Sequence, residues 1–212
     1  TYARIHRCRP ADFGKVLGNI KRAVEIKREQ RCDCTIGVQA LLLPENQGEM
    51  VALAELARGL GTDYLTVKPF SRHPLSRCDI RFDYGAALPL SQELERFHDD
   101  SFKVIFRAHT MGKLGQDRPY RECLGLPFAS YVDAGGYVYA CSAFLGDLDF
   151  TYGNIYNECF PAIWEGKRRK QVLEMMRRIG VEKCREVCHL DEMNRYLWEL
   201  KHPNLVPHIN FV

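Results

Sequence analysis

The sequence has no long apolar run, no excess of either charge and no low-complexity tract. Apolar stretches such as Met50–Ala54 are about one helical turn long, against the roughly 18–20 residues of a membrane-spanning helix, so no membrane partner is expected. Thirty basic and 27 acidic residues leave a net charge of +3, too balanced to point to nucleic acid. The one short basic run, Lys167–Lys170, reads as a solvated helix face. The opening residues TYARIHRCRP are basic and carry no apolar segment, so no secretory signal is expected. Also lacking are a G-x-S-x-G elbow, a phosphate-binding loop and a dinucleotide fingerprint, which leaves the chemistries built on them without residues to carry them. With 46% hydrophobic and 27% charged residues over 212 positions, the chain can bury a core as one large domain or two small ones.

Cysteine is what the chain has in plenty. Nine thiols, an odd number and no export signal argue against a disulfide scaffold and for a reducing, cytoplasmic setting. In that setting a cysteine-rich chain more often binds metal.

The first half alternates helix and strand patterns. Phe13, Val16, Leu17, Ile20, Ala23 and Val24 recur at helical spacing and predict an amphipathic helix over 10–29, with Pro10 in its first turn. The near-continuous apolar run Thr35–Leu43 reads as a strand buried on both faces, as in a parallel sheet. Asn46 and Glu49 form a capping-box pattern ahead of a helix that buries Met50, Val51, Leu53, Ala54 and Ala57. Strands at Tyr64–Pro69 and Phe102–Arg107 follow, with a short helix at Ser91–Asp99 between them. The order α-β-α-β-α-β predicts an α/β fold with parallel strands.

After about residue 112 the rhythm stops, and a domain boundary is expected near 112–120. Tyr131–Cys141 reads as a β-hairpin turning on Asp-Ala-Gly-Gly, Pro161–Ile179 as one helix, and Leu190–Leu200 as a last helix. Five cysteines fall in this part. Seventeen residues separate Cys123 from Cys141, Cys159 follows, and three residues separate Cys184 from Cys188. Short spacings can seed an iron–sulfur site that distant thiolates complete, whereas zinc knuckles favour a close pair on each side. Inert burial of small apolar thiols is a third reading.

Cys-x12-Gly-x4-Cys, running from Cys123 through Gly136 to Cys141, resembles the opening of the SPASM/Twitch auxiliary-cluster domain of radical S-adenosylmethionine enzymes. The stretch GNIYNECFPAIWEG (Gly153–Gly166) is similar to the segment that follows it there, and Cys184-x3-Cys188 matches the closing ligand pair. The resemblance extends more weakly to the first half, where TYARIHR resembles the segment after the third strand of the family's (β/α)6 partial TIM barrel. It implies three parts. Residues 1–112 would be the C-terminal half of that barrel, 113–195 a small cysteine-rich α+β Twitch domain, and 196–212 a packing tail that includes Trp198, Leu205, Val206, Ile209 and Phe211.

The resemblance also implies one auxiliary [4Fe–4S] cluster on Cys123, Cys141, Cys184 and Cys188, with Cys159 outside the ligand set. Gln39 within the first strand run, and Lys68 and Ser71 at the end of the second, would contact S-adenosylmethionine or substrate, and Arg107, at the end of the third, would face the substrate as the catalytic candidate. The activity implied is oxidation or modification of a small molecule or peptide, begun when a 5′-deoxyadenosyl radical abstracts a hydrogen atom. The Cys-x3-Cys-x2-Cys loop that holds the family's second, S-adenosylmethionine-cleaving [4Fe–4S] cluster is not in this sequence, and Cys32-Asp33-Cys34 is too tight to replace it. That loop is expected in a missing N-terminal part of the same barrel, with an external electron donor as a further partner. The contrasting expectation is a binding domain without enzymatic activity, stapled by a four-cysteine zinc site.

Overall fold

A computed structural model describes residues 1–78, 80–182 and 184–203. The chain forms two compact units, one of residues 1–70 with 80–114 and one of residues 71–78 with the chain from Gly115 onward.

In the first unit a short helix, α1 (Tyr2–His6), leads into the long α2 (Pro10–Glu29). Pro10 suits the first turn because its missing N–H would have had no partner there. Asp12 accepts the backbone N–H of Arg9 at 3.0 Å and closes that end. Strands β1 (Gly37–Leu42), β2 (Tyr64–Pro69) and β3 (Lys103–Phe106) make a parallel sheet in that order. The helices between them are α3 (Met50–Gly59) and α4 (Pro89–Glu95), and α5 (Ala108–Gly112) follows β3.

Leu42, Leu65, Val67 and Val104 on one sheet face pack with Met50, Ala54, Ala57 and Leu94 from α3 and α4, and with Phe102. The other face is open. Gln39, Leu41 and Ile105 are exposed there, and Tyr64, Thr66 and Lys68 half-buried. Register aligns Gln39 with Thr66 and Ile105, and Leu41 with Lys68. The expectation that the first strand is buried on both faces is therefore corrected for the described residues. Its continuous apolar run supplies two packing faces, and α3 and α4 fill only one.

Two local features tie this unit together. Lys27 Nζ lies 2.6 Å from both carboxylate oxygens of Asp63, which also accepts the N–H of Ile36 at 2.6 Å. Those contacts, with the Lys27 hydrogen bond foremost, hold the Asp63 carboxyl below its ordinary range. Asn46 does not cap a helix as its pattern predicts. Its side chain accepts from Leu43 N–H and donates to the Leu41 carbonyl, both at 2.9 Å, so the strand end outcompetes the helix for it.

The second unit has shorter elements. Strands β4 (Tyr131–Val132), β5 (Tyr137–Tyr139) and β6 (Thr151–Asn154) form an antiparallel sheet, with the hairpin turn where Asp-Ala-Gly-Gly predicts it. Gly136 sits at that turn with φ +79°, and an added Cβ would lie 2.6 Å from the Tyr156 ring, so both backbone and space demand glycine. β6 was not expected, because the sequence Thr-Tyr-Gly-Asn has neither alternation nor length.

The single helix expected over 161–179 is two, α6 (Phe160–Glu165) and α7 (Lys167–Ile179), broken where Gly166 turns extended at ψ 157°. A glycine inside a helix costs about 1 kcal/mol, and here it marks the break. Val138, Ala140, Tyr152, Ile163, Val172, Met176 and Leu190 form the core. The last helix, α8 (Asp191–Lys201), runs through the boundary expected at 196. Trp198 on it is half-buried beside the His202 ring at 4.1 Å, while Leu200 is exposed. Leu205, Val206, Ile209 and Phe211 lie outside the described residues.

Candidate metal centre

All nine cysteines are free thiols. Four of them converge in the second unit from separate elements. Cys123 precedes the turn that begins at Gly125, Cys141 follows β5, and Cys184 and Cys188 lie on the loop between α7 and α8. Cys123, Cys141 and Cys188 pack against the apolar core of the unit, and all four thiols are half-buried.

Burial first, and then the charge of neighbouring thiols, pushes Cys123 and Cys141 above the usual thiol range. Cys184 is pushed up to about 11 by burial, opposed by Arg118, with the charges of Cys141, Cys123 and Cys188 adding to the rise. All three feel the charge of Cys188, and Cys141 and Cys184 also feel that of Cys123. Thiols this buried are held protonated, and a metal that displaces the protons relieves the mutual repulsion their anions would otherwise suffer.

The surroundings are arranged to receive negative charge on sulfur. Asn194 Nδ2 donates to Cys123 Sγ at 3.3 Å, and the Ala143 N–H donates to Cys141 Sγ at 3.4 Å. Arg185 lies within electrostatic reach of Cys141, and its Nε is buried without a hydrogen-bond partner among the described residues. A nearby guanidinium with an unpartnered buried N–H, and N–H donors aimed at sulfur, fit an anionic metal–thiolate group.

Among the described residues, no three His, Cys, Asp or Glu side chains stand close enough to hold one metal ion. One tetrahedral zinc would draw its sulfurs to about 3.8 Å from each other. A four-iron cluster instead gives each thiolate its own iron and spreads the four apart. Four thiolates are the donor set that such a cluster takes.

The loop that carries two of the thiols is held by residues with no motif to announce them. Arg118 donates to the carbonyls of Val181 at 2.9 Å and Glu186 at 3.3 Å, and also to that of Arg185. Tyr120 Oη donates to buried Asp191 at 2.6 Å, and Arg195 pairs with the same carboxylate at 2.9 Å. The segment 71–78 belongs to this unit as a strap. Ser71 Oγ donates to the carbonyl of Val187, beside Cys188, and His73 Nε2 lies 3.1 Å from the carbonyl of Ser142, beside Cys141.

The remaining candidates are placed differently. Cys159 is exposed at the head of α6. Gln39 and Lys68 share the open face of the parallel sheet in the first unit, and Arg107 is exposed just past β3, at the head of α5. Ser71, given by the resemblance to S-adenosylmethionine, spends its hydroxyl on the cysteine loop. Asn194 and Arg118 were not foreseen, and neither stands in a spacing that sequence alone could have marked.

Among the described residues no helix is long and apolar enough to cross a membrane. No curated protein and no solved structure matches the chain. Residues 123–189 match the family model of SPASM, an iron-sulfur cluster-binding domain, and the matched span opens on Cys123 and closes one residue after Cys188.

Proposed function

We propose that the chain is the C-terminal portion of a radical S-adenosylmethionine enzyme, and that Cys123, Cys141, Cys184 and Cys188 hold an auxiliary [4Fe–4S] cluster. The observation that carries this reading is the convergence of those four thiols inside the span that matches the iron-sulfur cluster-binding family. When bound, such a cluster supplies an acceptor for an electron or a point for fixing substrate. The chain's own residues bury the sulfurs, donate hydrogen bonds to them and hold their loops.

The open sheet face of the first unit supports the second half of the reading. Parallel sheets are ordinarily covered on both sides. Gln39 in mid-strand and Lys68 near the carboxyl end of β2 present an amide and an ammonium on an uncovered face, and α/β folds bind ligands at the carboxyl ends of their strands. In this reading that face is the inner wall of a partial barrel, completed by an N-terminal part that brings the S-adenosylmethionine-cleaving cluster. Arg107 would bind oxygen atoms of a small-molecule or peptide substrate bidentately, since a guanidinium is too weak an acid to serve as a base near neutrality. Initiation would then be hydrogen-atom abstraction by a 5′-deoxyadenosyl radical, with reducing electrons from an external donor and the enzyme in the cytoplasm.

Anaerobic reconstitution with iron and sulfide tests the site. A brown chain with about four irons supports it, and a colourless chain holding a single zinc overturns it in favour of a stapled binding domain. In the complete enzyme, Arg107→Ala should impair substrate conversion far more than uncoupled S-adenosylmethionine cleavage. Equal loss of both activities would remove the substrate-binding role.

A further inference from the structure

Asn194 is only 2% exposed, an unusual place for a primary amide. It stands one turn into α8, and its side chain is used at both ends. Oδ1 accepts the N–H of Gly125 at 2.8 Å, and Nδ2 donates to Cys123 Sγ at 3.3 Å. A backbone N–H can only donate, so the Gly125 bond fixes which end of the amide carries oxygen and turns the NH2 group to the sulfur. Gly125 packs closely against α8, where an added Cβ would lie 3.1 Å from Met193 Sδ and 3.4 Å from Leu190 Cβ.

The same helix is anchored on the last thiol. The Asp191 N–H donates to the Cys188 carbonyl at 3.1 Å, and the Asn194 N–H to the Leu190 carbonyl at 2.8 Å. One turn of backbone thus joins Cys188 to a side chain that grips Cys123, its partner 71 residues away from Asn194 in sequence.

An N–H donor aimed at a ligating sulfur stabilises the form that carries more negative charge there. An iron–sulfur cluster places part of each added electron on its sulfurs, so such a donor favours the reduced state. We propose that Asn194 is a positioning residue that raises the reduction potential of the cluster on Cys123, Cys141, Cys184 and Cys188 through its N–H···S hydrogen bond. The inference rests on the cluster reading given above.

The full chain, reconstituted anaerobically and titrated with dithionite, gives the test. Asn194→Asp keeps an acceptor for Gly125 and removes the donor to sulfur. With iron per chain unchanged, the one-electron equilibrium should move about tenfold toward the oxidised form, which is about 59 mV more negative. A midpoint equal to that of the wild type would overturn the proposal.

The wild-type protein decides the matter if the variant fails to load. With asparagine labelled with 15N in its side-chain amide, the reduced cluster should show a 15N coupling by hyperfine sublevel correlation, and its absence would overturn the proposal. A wild-type chain that assembles no cluster overturns the underlying reading and this inference with it. A cluster indifferent to residue 194 overturns the inference alone.

Discussion

The two units solve the same problem by different means. The first has strands of six, six and four residues paired in parallel, with a core from the sheet and two helices. The second has strands of two, three and four residues. Pairing on that scale orders few residues for each hydrogen bond, and the loops between strands are held by side chains instead. Arg118, Arg168 and Arg169 donate to backbone carbonyls of distant segments, as Asn154 does to Gly135 in the turn between β4 and β5. A unit built this way gains more from a shared metal centre than one with a continuous sheet.

If that contrast is right, the largest effect should come from the thiols. Cys141→Ala should lower bound iron and cost the second unit on the order of 4 kcal/mol, with the first unit melting as before. Full retention of iron in Cys141→Ala, together with loss in Cys159→Ala, would reverse the assignment of ligands. Leu65→Ala is the matching change in the first unit. Leu65 is fully buried in the parallel sheet, so the loss should be about 3 kcal/mol, seen in denaturant unfolding, with iron content intact.

Acidity separates the units further. Cys184 rises from 9.0 to about 11 on folding, so its neutral form is the one the apo fold prefers. Its contribution is complete below pH 9.0 and is lost as pH climbs through about 11. The melting temperature of the metal-free chain should fall across that window, and Cys184→Ala should flatten the fall. In the first unit the sign is opposite. The Asp63 carboxyl is depressed from 3.8, so its contribution is present above that pH and is lost as acid protonates it. Asp63→Asn should have the smallest effect of the four, about 1 kcal/mol, vanishing in acid. Equal sensitivity of wild type and variant at low pH, with a difference at neutrality, is the outcome to look for in thermal melts.

Legibility followed the same divide. The spacing of apolar residues with Pro10 marked α2 over 10–29, and the apolar runs marked all three parallel strands, because periodic burial leaves a local trace. Local traces failed where a competing partner, near or far in sequence, decided the outcome. Asn46 carries a helix-cap pattern, yet the end of β1 takes its side chain. Thr-Tyr-Gly-Asn at 151–154 becomes a strand because β5 is there to pair with it. At the candidate centre the four thiols were visible as spacing and Gly136 as a turn. Asn194 was not, since nothing around position 194 announces a sulfur that the fold brings to it from position 123.

The strap at 71–78 bears on how the protein can be taken apart. The backbone leaves the first unit after β2, is used by the second, and returns before α4. No single cut of the polypeptide therefore yields both units whole. A gene fragment starting at Gly115 would encode all four candidate thiols but neither Ser71 nor His73, leaving the carbonyls of Val187 and Ser142 to water. Moving the second unit into another protein would have to carry along eight residues borrowed from the middle of the first.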